Sequence, residues 1–216
     1  MRLINKRTPP PLLTTYQYAV NAAYNDMDAN VKNAIKVSLL NEQGWVCGYC
    51  QLKIDNVDQM RIEHHCEQSI CNGQNGTIDR RLDYTNMMAV CRGDGGNLQF
   101  HCDQSKARFN STNGLPIGVS PWVQAHVYGI SYHATGLINS LNPRHDNEIN
   151  TILNLNIQLL KNQRKSIYNQ IFAEAPPDNP RGIQKFQSIL RALLEFGNNR
   201  FSNPFPGLYE YLLRIS

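Results

Sequence analysis

The cysteines constrain this chain most, because all six lie between positions 47 and 102 of 216 residues. The first two have the CxxC spacing of a metal knuckle, and a Gly-rich insertion separates the second pair. Tetrahedral zinc requires only that four sulfurs converge, so the insertion is compatible with one site. A redox CxxC would need a thioredoxin-like βαβ context, which the sequence lacks. We therefore predict a structural zinc held by Cys47, Cys50, Cys91 and Cys102, with the intervening GDGG forming the turn.

The remaining two cysteines, Cys66 and Cys71, are spaced more widely than a knuckle and follow a strand-like segment. We expect them to be partly buried free thiols rather than a second metal site. The N-terminus has no signal-peptide pattern, and no apolar run approaches the ~20 residues that cross a bilayer. A cytoplasmic protein with reduced thiols is therefore expected, without a membrane partner.

Hydrophobic periodicity predicts helices on either side of the cysteine-rich segment. Val31, Ile35 and Leu39 lie at helical spacing after Asp28, and Gly44 is a plausible stop. Toward the C-terminus, the pattern predicts one helix from about 149 to 175, another from Pro180 to Gly197, and a short one over 208–213. A hairpin bending near Gly129 is predicted over 125–138. Lys161, Arg164 and Lys165 are expected on a solvated face.

The cysteine-rich segment instead contains strand-like stretches, QMRIEHH and YTNMMAV. The expected fold class is therefore α+β. We divide the chain into a helical N-terminal extension over 1–44, a core over 45–120, and a mainly helical region over 121–216 that could hold a partner interface.

Polar residues in this core have the chemistry that phosphodiester hydrolysis requires. Mg²⁺ prefers oxygen ligands, which Glu63 and Asp103 could supply from two elements. A base of near-neutral pKa must accept a proton from the attacking water, and His64 is suited to this step. Asn86 could pin the loop that carries this histidine. Lys106, one helical turn beyond Asp103, could meet a phosphate oxygen.

The order CxxC, Glu-His, Asn with apolar residues and Cys, then Cys-Asp-x-x-Lys resembles the HNH endonucleases. This resemblance implies a zinc-braced ββα-metal (His-Me finger) core. It places His64 as general base, Glu63 as first metal carboxylate, Asn86 as central Asn and Asp103 at the last motif position. The family usually has Asn or His at that last position, so His101 is an alternative to Asp103. Mg²⁺ or Mn²⁺ is the implied catalytic cation.

A narrower resemblance rests on LLNEQGWVCGYC, RIEHH, LDYTNMMAVC, HCDQSK and ILNLNIQLLKNQR. These segments are similar to PtuB-type HNH proteins of Septu and retron antiphage systems. The resemblance implies a nuclease effector in an oligomeric complex with a PtuA-type ABC ATPase, in some systems with a reverse transcriptase and its DNA–RNA product.

The net charge of +4 permits a polyanionic partner such as nucleic acid. Basic residues near the predicted site, including Lys106 and Arg108, could contact phosphates or simply form a solvated face. No helix-turn-helix or other base-reading element is apparent. The alternative to a nuclease is a catalytically silent, zinc-braced scaffold that binds nucleic acid or protein.

Overall fold

The structure is a computed structural model that describes residues 1–74, 79–96, 99–113 and 117–216. It has the expected mixed α+β composition, with small two-stranded antiparallel sheets among the described residues. The strands are β1 (Met60–His64), β2 (Met87–Cys91), β3 (Ile130–Tyr132), β4 (Ile138–Ser140), β5 (Phe196–Gly197) and β6 (Arg200–Phe201). The α-helices are α1 (Pro11–Gln17), α2 (Ala29–Gln43), α3 (Cys102–Asn113), α4 (Gln124–Tyr128), α5 (Pro143–Asn147), α6 (Gln158–Glu174), α7 (Pro180–Leu193) and α8 (Pro206–Ile215).

Helix α2 confirms the N-terminal prediction, and local chemistry fixes both of its ends. The Asp28 carboxylate accepts hydrogen bonds from the backbone N–H groups of Asn30 and Val31, which satisfies orphan donors of the first turn. Gly44 ends the helix in the left-handed region, at φ 71°. The predicted apolar stripe is buried, including Ile35 and Leu39.

The central unit is the β1–β2 hairpin followed by helix α3. The two strands pair with Met60 opposite Cys91 and with His64 opposite Met87. Residues 87–90 of β2 are buried on both faces of the hairpin, and both α2 and α3 contact this strand. The hairpin is therefore held between two helices, and the polar end of β1 lies next to the first turns of α3.

The C-terminal region is more broken than its periodicity predicts. The single helix expected over 149–175 is wrong, because a π-helical turn (Glu148–Ile152) ends before Asn154, which is left-handed at φ 49°. Helix α7 ends at Leu193 and not at Gly197, which lies instead in the small β5–β6 hairpin.

The predicted hairpin near Gly129 also differs in detail. Gly129 caps the short helix α4, and the chain reverses between β3 and β4, where Gly136 is left-handed at φ 82°. The expectation of a solvated Arg164 is wrong as well. Its buried guanidinium donates to the carbonyl oxygens of Gly136 and Leu155 and so joins α6 to the β3–β4 turn.

Buried hydrophobic residues from the N-terminal, central and C-terminal regions join in one core cluster. Within the described ranges, none of the helices combines the length and apolar character that a membrane crossing needs.

Candidate functional site

The predicted cysteine quartet converges in the structure. The four ligand atoms of Cys47, Cys50, Cys91 and Cys102 lie within 4.8 Å of one another. Cys47 Sγ lies 3.8 Å from Cys102 Sγ, and Cys50 Sγ lies 3.7 Å from Cys91 Sγ. Zn–S bonds of about 2.3 Å at tetrahedral angles place sulfurs about 3.8 Å apart. These cysteines are therefore close enough to hold a metal ion, in an arrangement compatible with structural zinc.

Close backbone approaches bring the third and fourth cysteines together. Gly93 accepts a hydrogen bond from the His101 N–H group and adopts φ 70°. A Cβ atom on Gly93 would lie 2.2 Å from the His101 carbonyl oxygen, so only glycine fits this approach. Cys102 itself is left-handed at φ 56° as α3 begins. The predicted GDGG turn thus returns the chain to the cluster, although residues 97 and 98 of the insertion lie outside the described residues.

His101, the alternative last motif residue, faces the sulfur cluster. It is buried, and its Nδ1 atom lies 3.1 Å from Cys102 Sγ and 4.0 Å from Cys91 Sγ. This nitrogen is therefore placed to support the sulfur ligands.

The prediction of free thiols at Cys66 and Cys71 is wrong, because these residues form a disulfide. The chain makes a helical turn directly after β1, in which the N–H groups of Ile70 and Cys71 donate to the Glu67 carbonyl oxygen. The turn brings the two Cα atoms to 5.9 Å, a normal separation for a bridge. Spacing along the sequence could not reveal this reversal of the chain.

Glu63 lies buried at the end of β1, between strand and helix. Its Oε1 atom accepts a hydrogen bond from the Tyr49 hydroxyl at 2.9 Å and from the Lys106 ammonium at 2.5 Å. Burial raises the pKa of Glu63 to about 8; Lys106 opposes this rise, and the nearby Asp103 carboxyl adds to it. The buried Glu63 carboxyl is thus close to the half-buried carboxyl of Asp103, and one cation already balances part of their charge.

Lys106 does not point into solvent in this conformation. Only 1% of its side chain is exposed, and the ammonium also donates to the carbonyl oxygens of His64, at 3.0 Å, and His65, at 3.3 Å. A more distant ion pair, at 3.7 Å, joins it to Glu67. The phosphate contact predicted for Lys106 would require the ammonium to leave these partners.

Asp103 occupies the first turn of α3, where a carboxylate also suits the helix dipole. Its Oδ2 atom lies 3.5 Å from an Arg61 guanidinium nitrogen. A cavity of about 620 Å³ opens between β1, the following turn and α3. The residues lining it include Glu63, His64 and Asp103, so the structure brings the predicted carboxylates and base to one cavity.

His64 is buried, and both ring nitrogens have partners. Its Nε2 atom lies 2.9 Å from the Arg81 carbonyl oxygen, which can only accept, so the ring donates there. In the neutral ring, Nδ1 is then the acceptor, and the Gln68 side-chain amide donates to it at 3.2 Å. The Tyr24 ring packs edge-on, with the ring centroids 4.6 Å apart. Burial lowers the pKa of His64, which favours this neutral form.

Asn86 makes the loop-pinning contacts expected of it. Its Oδ1 atom accepts from the Cys66 N–H group at 2.8 Å, and its Nδ2 atom donates to the Cys66 carbonyl at 2.9 Å. The same amide nitrogen donates to the Arg80 carbonyl at 3.2 Å. Asn86 therefore ties the turn after His64 to the segment that supplies the Arg81 carbonyl.

Arg108, the other predicted phosphate contact, is exposed on α3, with its guanidinium 3.4 Å from the centroid of the Phe100 ring. Its cationic head therefore remains at the surface of the same helix that carries Asp103.

Comparison of the sequence with protein-family models and with curated proteins finds no match.

The sequence analysis did not identify Tyr24, Tyr49 and Gln68, which contact the site residues. Gln68 alone had a signal, because it lies four residues after His64, a spacing that one helical turn would bring together.

Proposed function

We propose that this protein is a metal-dependent nuclease of the HNH type, with a zinc-braced ββα-metal core. The observation that carries the proposal is the β1–β2–α3 unit, in which Glu63, His64 and Asp103 line one cavity. A histidine beside two carboxylates is the chemistry that phosphodiester hydrolysis with a hard divalent cation requires.

The roles follow from the contacts. His64 accepts the proton of the attacking water at Nδ1, because the Arg81 carbonyl holds the opposite N–H and so fixes the tautomer. Glu63 and Asp103 would hold Mg²⁺ or Mn²⁺, and two crowded carboxyls fit a cation that relieves their repulsion. When bound, the cation supplies electrostatic stabilisation of charge at the scissile phosphate.

In the same proposal, Cys47, Cys50, Cys91 and Cys102 bind one structural Zn²⁺, which joins the CxxC knuckle to β2 and α3. Asn86 fixes the turn after the base, and Arg108 contacts the nucleic-acid backbone from the surface of α3. Lys106 joins Arg108 in phosphate contact only if it leaves Glu63.

The wider context rests on the resemblance to PtuB-type proteins. We propose a cytoplasmic antiphage effector that works in an oligomeric complex with a PtuA-type ABC ATPase. A reverse transcriptase with its DNA–RNA product is a further partner in the retron version of this context.

The test is nucleic-acid cleavage with Mg²⁺ or Mn²⁺, measured with and without the partner ATPase. His64→Ala should lower the rate at least ~100-fold, because general-base catalysis contributes about that much. The matched control is His133→Ala, since His133 is an exposed histidine in the turn between β3 and β4. Both variants should retain zinc and a cooperative unfolding transition, with a lower midpoint for His64→Ala because it loses a buried ring and its two hydrogen bonds. Cleavage is therefore compared well below that midpoint. Equal cleavage by the two variants would remove His64 as the base.

A second function is a catalytically silent, zinc-braced scaffold, which the engagement of Glu63 by Lys106 favours. In that case zinc would still be needed for folding, and nucleic acid or a protein partner would bind. No cleavage would occur with either cation, even with the ATPase present, and His64→Ala would bind as tightly as the wild type.

A further inference from the structure

A disulfide-closed turn directly follows the proposed base. The Cys66–Cys71 bridge encloses residues 67–70, and the Asn86 side chain holds the backbone of Cys66 on both sides. At the other end, the Cys71 carbonyl accepts from the Arg80 N–H group. Both cysteines are half-buried, so a small reductant can reach them.

Gln68 extends from this turn onto the base nitrogen of His64. The Arg81 carbonyl already takes the proton on Nε2, so the only lone pair of the neutral ring is on Nδ1. The Gln68 amide nitrogen lies 3.2 Å from that lone pair. A water molecule cannot be deprotonated by Nδ1 while this amide occupies it. The contact therefore covers the one atom on which the base function depends.

We propose that Cys66–Cys71 is a redox modification site that a dithiol reductant opens, and that the bridge holds Gln68 over the base of His64. The inference rests on the proposed nuclease function. In the step, the S–S bond of the bridge breaks and the dithiol supplies two electrons and two protons. Cys66 and Cys71 become thiols, and the reductant becomes a cyclic disulfide. The turn then keeps its backbone hydrogen bonds but loses its covalent closure, and Gln68 can leave Nδ1.

The first experiment measures cleavage by the complete chain under the conditions that support it, before and after dithiothreitol. Gln68→Ala should cleave about fivefold faster than wild type, the factor that corresponds to one ordinary hydrogen bond. Its matched control is Gln124→Ala, an exposed glutamine on α4, which should match the wild type. Dithiothreitol should bring the wild type to the rate of Gln68→Ala and should leave the Cys66→Ser/Cys71→Ser double variant unchanged.

The double variant lacks the bridge but keeps the four-cysteine cluster, so it shows whether dithiothreitol acts through the bridge. A zinc measurement after treatment checks that the cluster is intact. A Gln68→Ala variant no faster than Gln124→Ala would overturn the inference. So would a wild-type rate that stays constant while thiol counting shows the bridge reduced.

A second readout does not depend on cleavage. The ¹⁵N NMR signal of His64 Nδ1, assigned by its loss in His64→Gln, should move in Gln68→Ala and on reduction of the wild type. If this signal moves but no version of the protein cleaves, the nuclease proposal fails, while the contact of Gln68 with His64 Nδ1 is supported. A signal that moves in neither case would refute the covering contact, even in an active nuclease.

Discussion

Lys106→Met is the most informative single change, because it removes the buried ammonium that binds the Glu63 carboxyl. The wild-type ammonium donates to Glu63 Oε1 at 2.5 Å and to two main-chain carbonyls at 3.0 and 3.3 Å. Methionine keeps most of the apolar stem but removes this donor from both carbonyls and leaves Glu63 Oε1 with the Tyr49 hydroxyl alone. Burial already raises the pKa of Glu63 to about 8, so its carboxyl takes up a proton at neutral pH once the ammonium is gone, and the loss stays below the about 3–5 kcal/mol of a stranded buried charge. We expect the free energy of unfolding to fall by about 2 kcal/mol, the cost of buried acceptors that lose this donor, which lowers Tm by about 6 °C in a chain of this size.

Urea unfolding measures this loss, with Lys165→Met as the matched control, since Lys165 is exposed on α6. The double variant Glu63→Gln/Lys106→Met should recover part of the loss, because glutamine replaces a buried carboxyl that has lost its cation with a neutral amide that can donate. If Lys106→Met were as stable as Lys165→Met, the ion pair would not support the fold. Weaker nucleic-acid binding by such a stable variant would instead support the phosphate contact predicted from the sequence.

Three further predictions concern the cluster and the acid stability of the protein. Cys47→Ser should abolish the expected one zinc per chain and unfold the protein, as measured by metal content and circular dichroism, whereas Cys66→Ser should retain zinc. Gly93→Ala should cost about 2–4 kcal/mol in urea unfolding, because its Cβ would meet the His101 carbonyl at 2.2 Å. Gly96→Ala, at φ 75° with no described atom within 4 Å, should cost less. Burial lowers the pKa of His65 from 6.5 to about 4, so the unfolded chain takes up the proton first as pH falls. Stability should therefore drop by about 2 kcal/mol between pH 7.5 and 5, and His65→Gln should remove that part of the loss.

Local patterns in the sequence predicted the elements that local chemistry controls. Helix α2 begins at its Asp28 cap and ends at Gly44 as expected, because capping and a left-handed glycine act within a few residues. Strands β1 and β2 lie within the two strand-like stretches, because strand propensity is also local, although Tyr84–Asn86 of the second stretch forms a 3₁₀ turn. The cysteine quartet was also predictable, since knuckle spacing survives an insertion that only has to return the chain to the metal.

Tertiary structure decided where the polar side chains point. Arg164 lies on a helix whose charges suggest a solvated face, yet its guanidinium is buried because the carbonyls of Gly136, in the β3–β4 turn, and of Leu155 accept from it. Lys106 turns from solvent to Glu63 because α3 packs against the hairpin. Cys66 and Cys71 pair because the chain reverses directly after β1. Each partner comes from another element or from a turn without periodicity, so the sequence determined which groups were available and only the packing determined which of them meet.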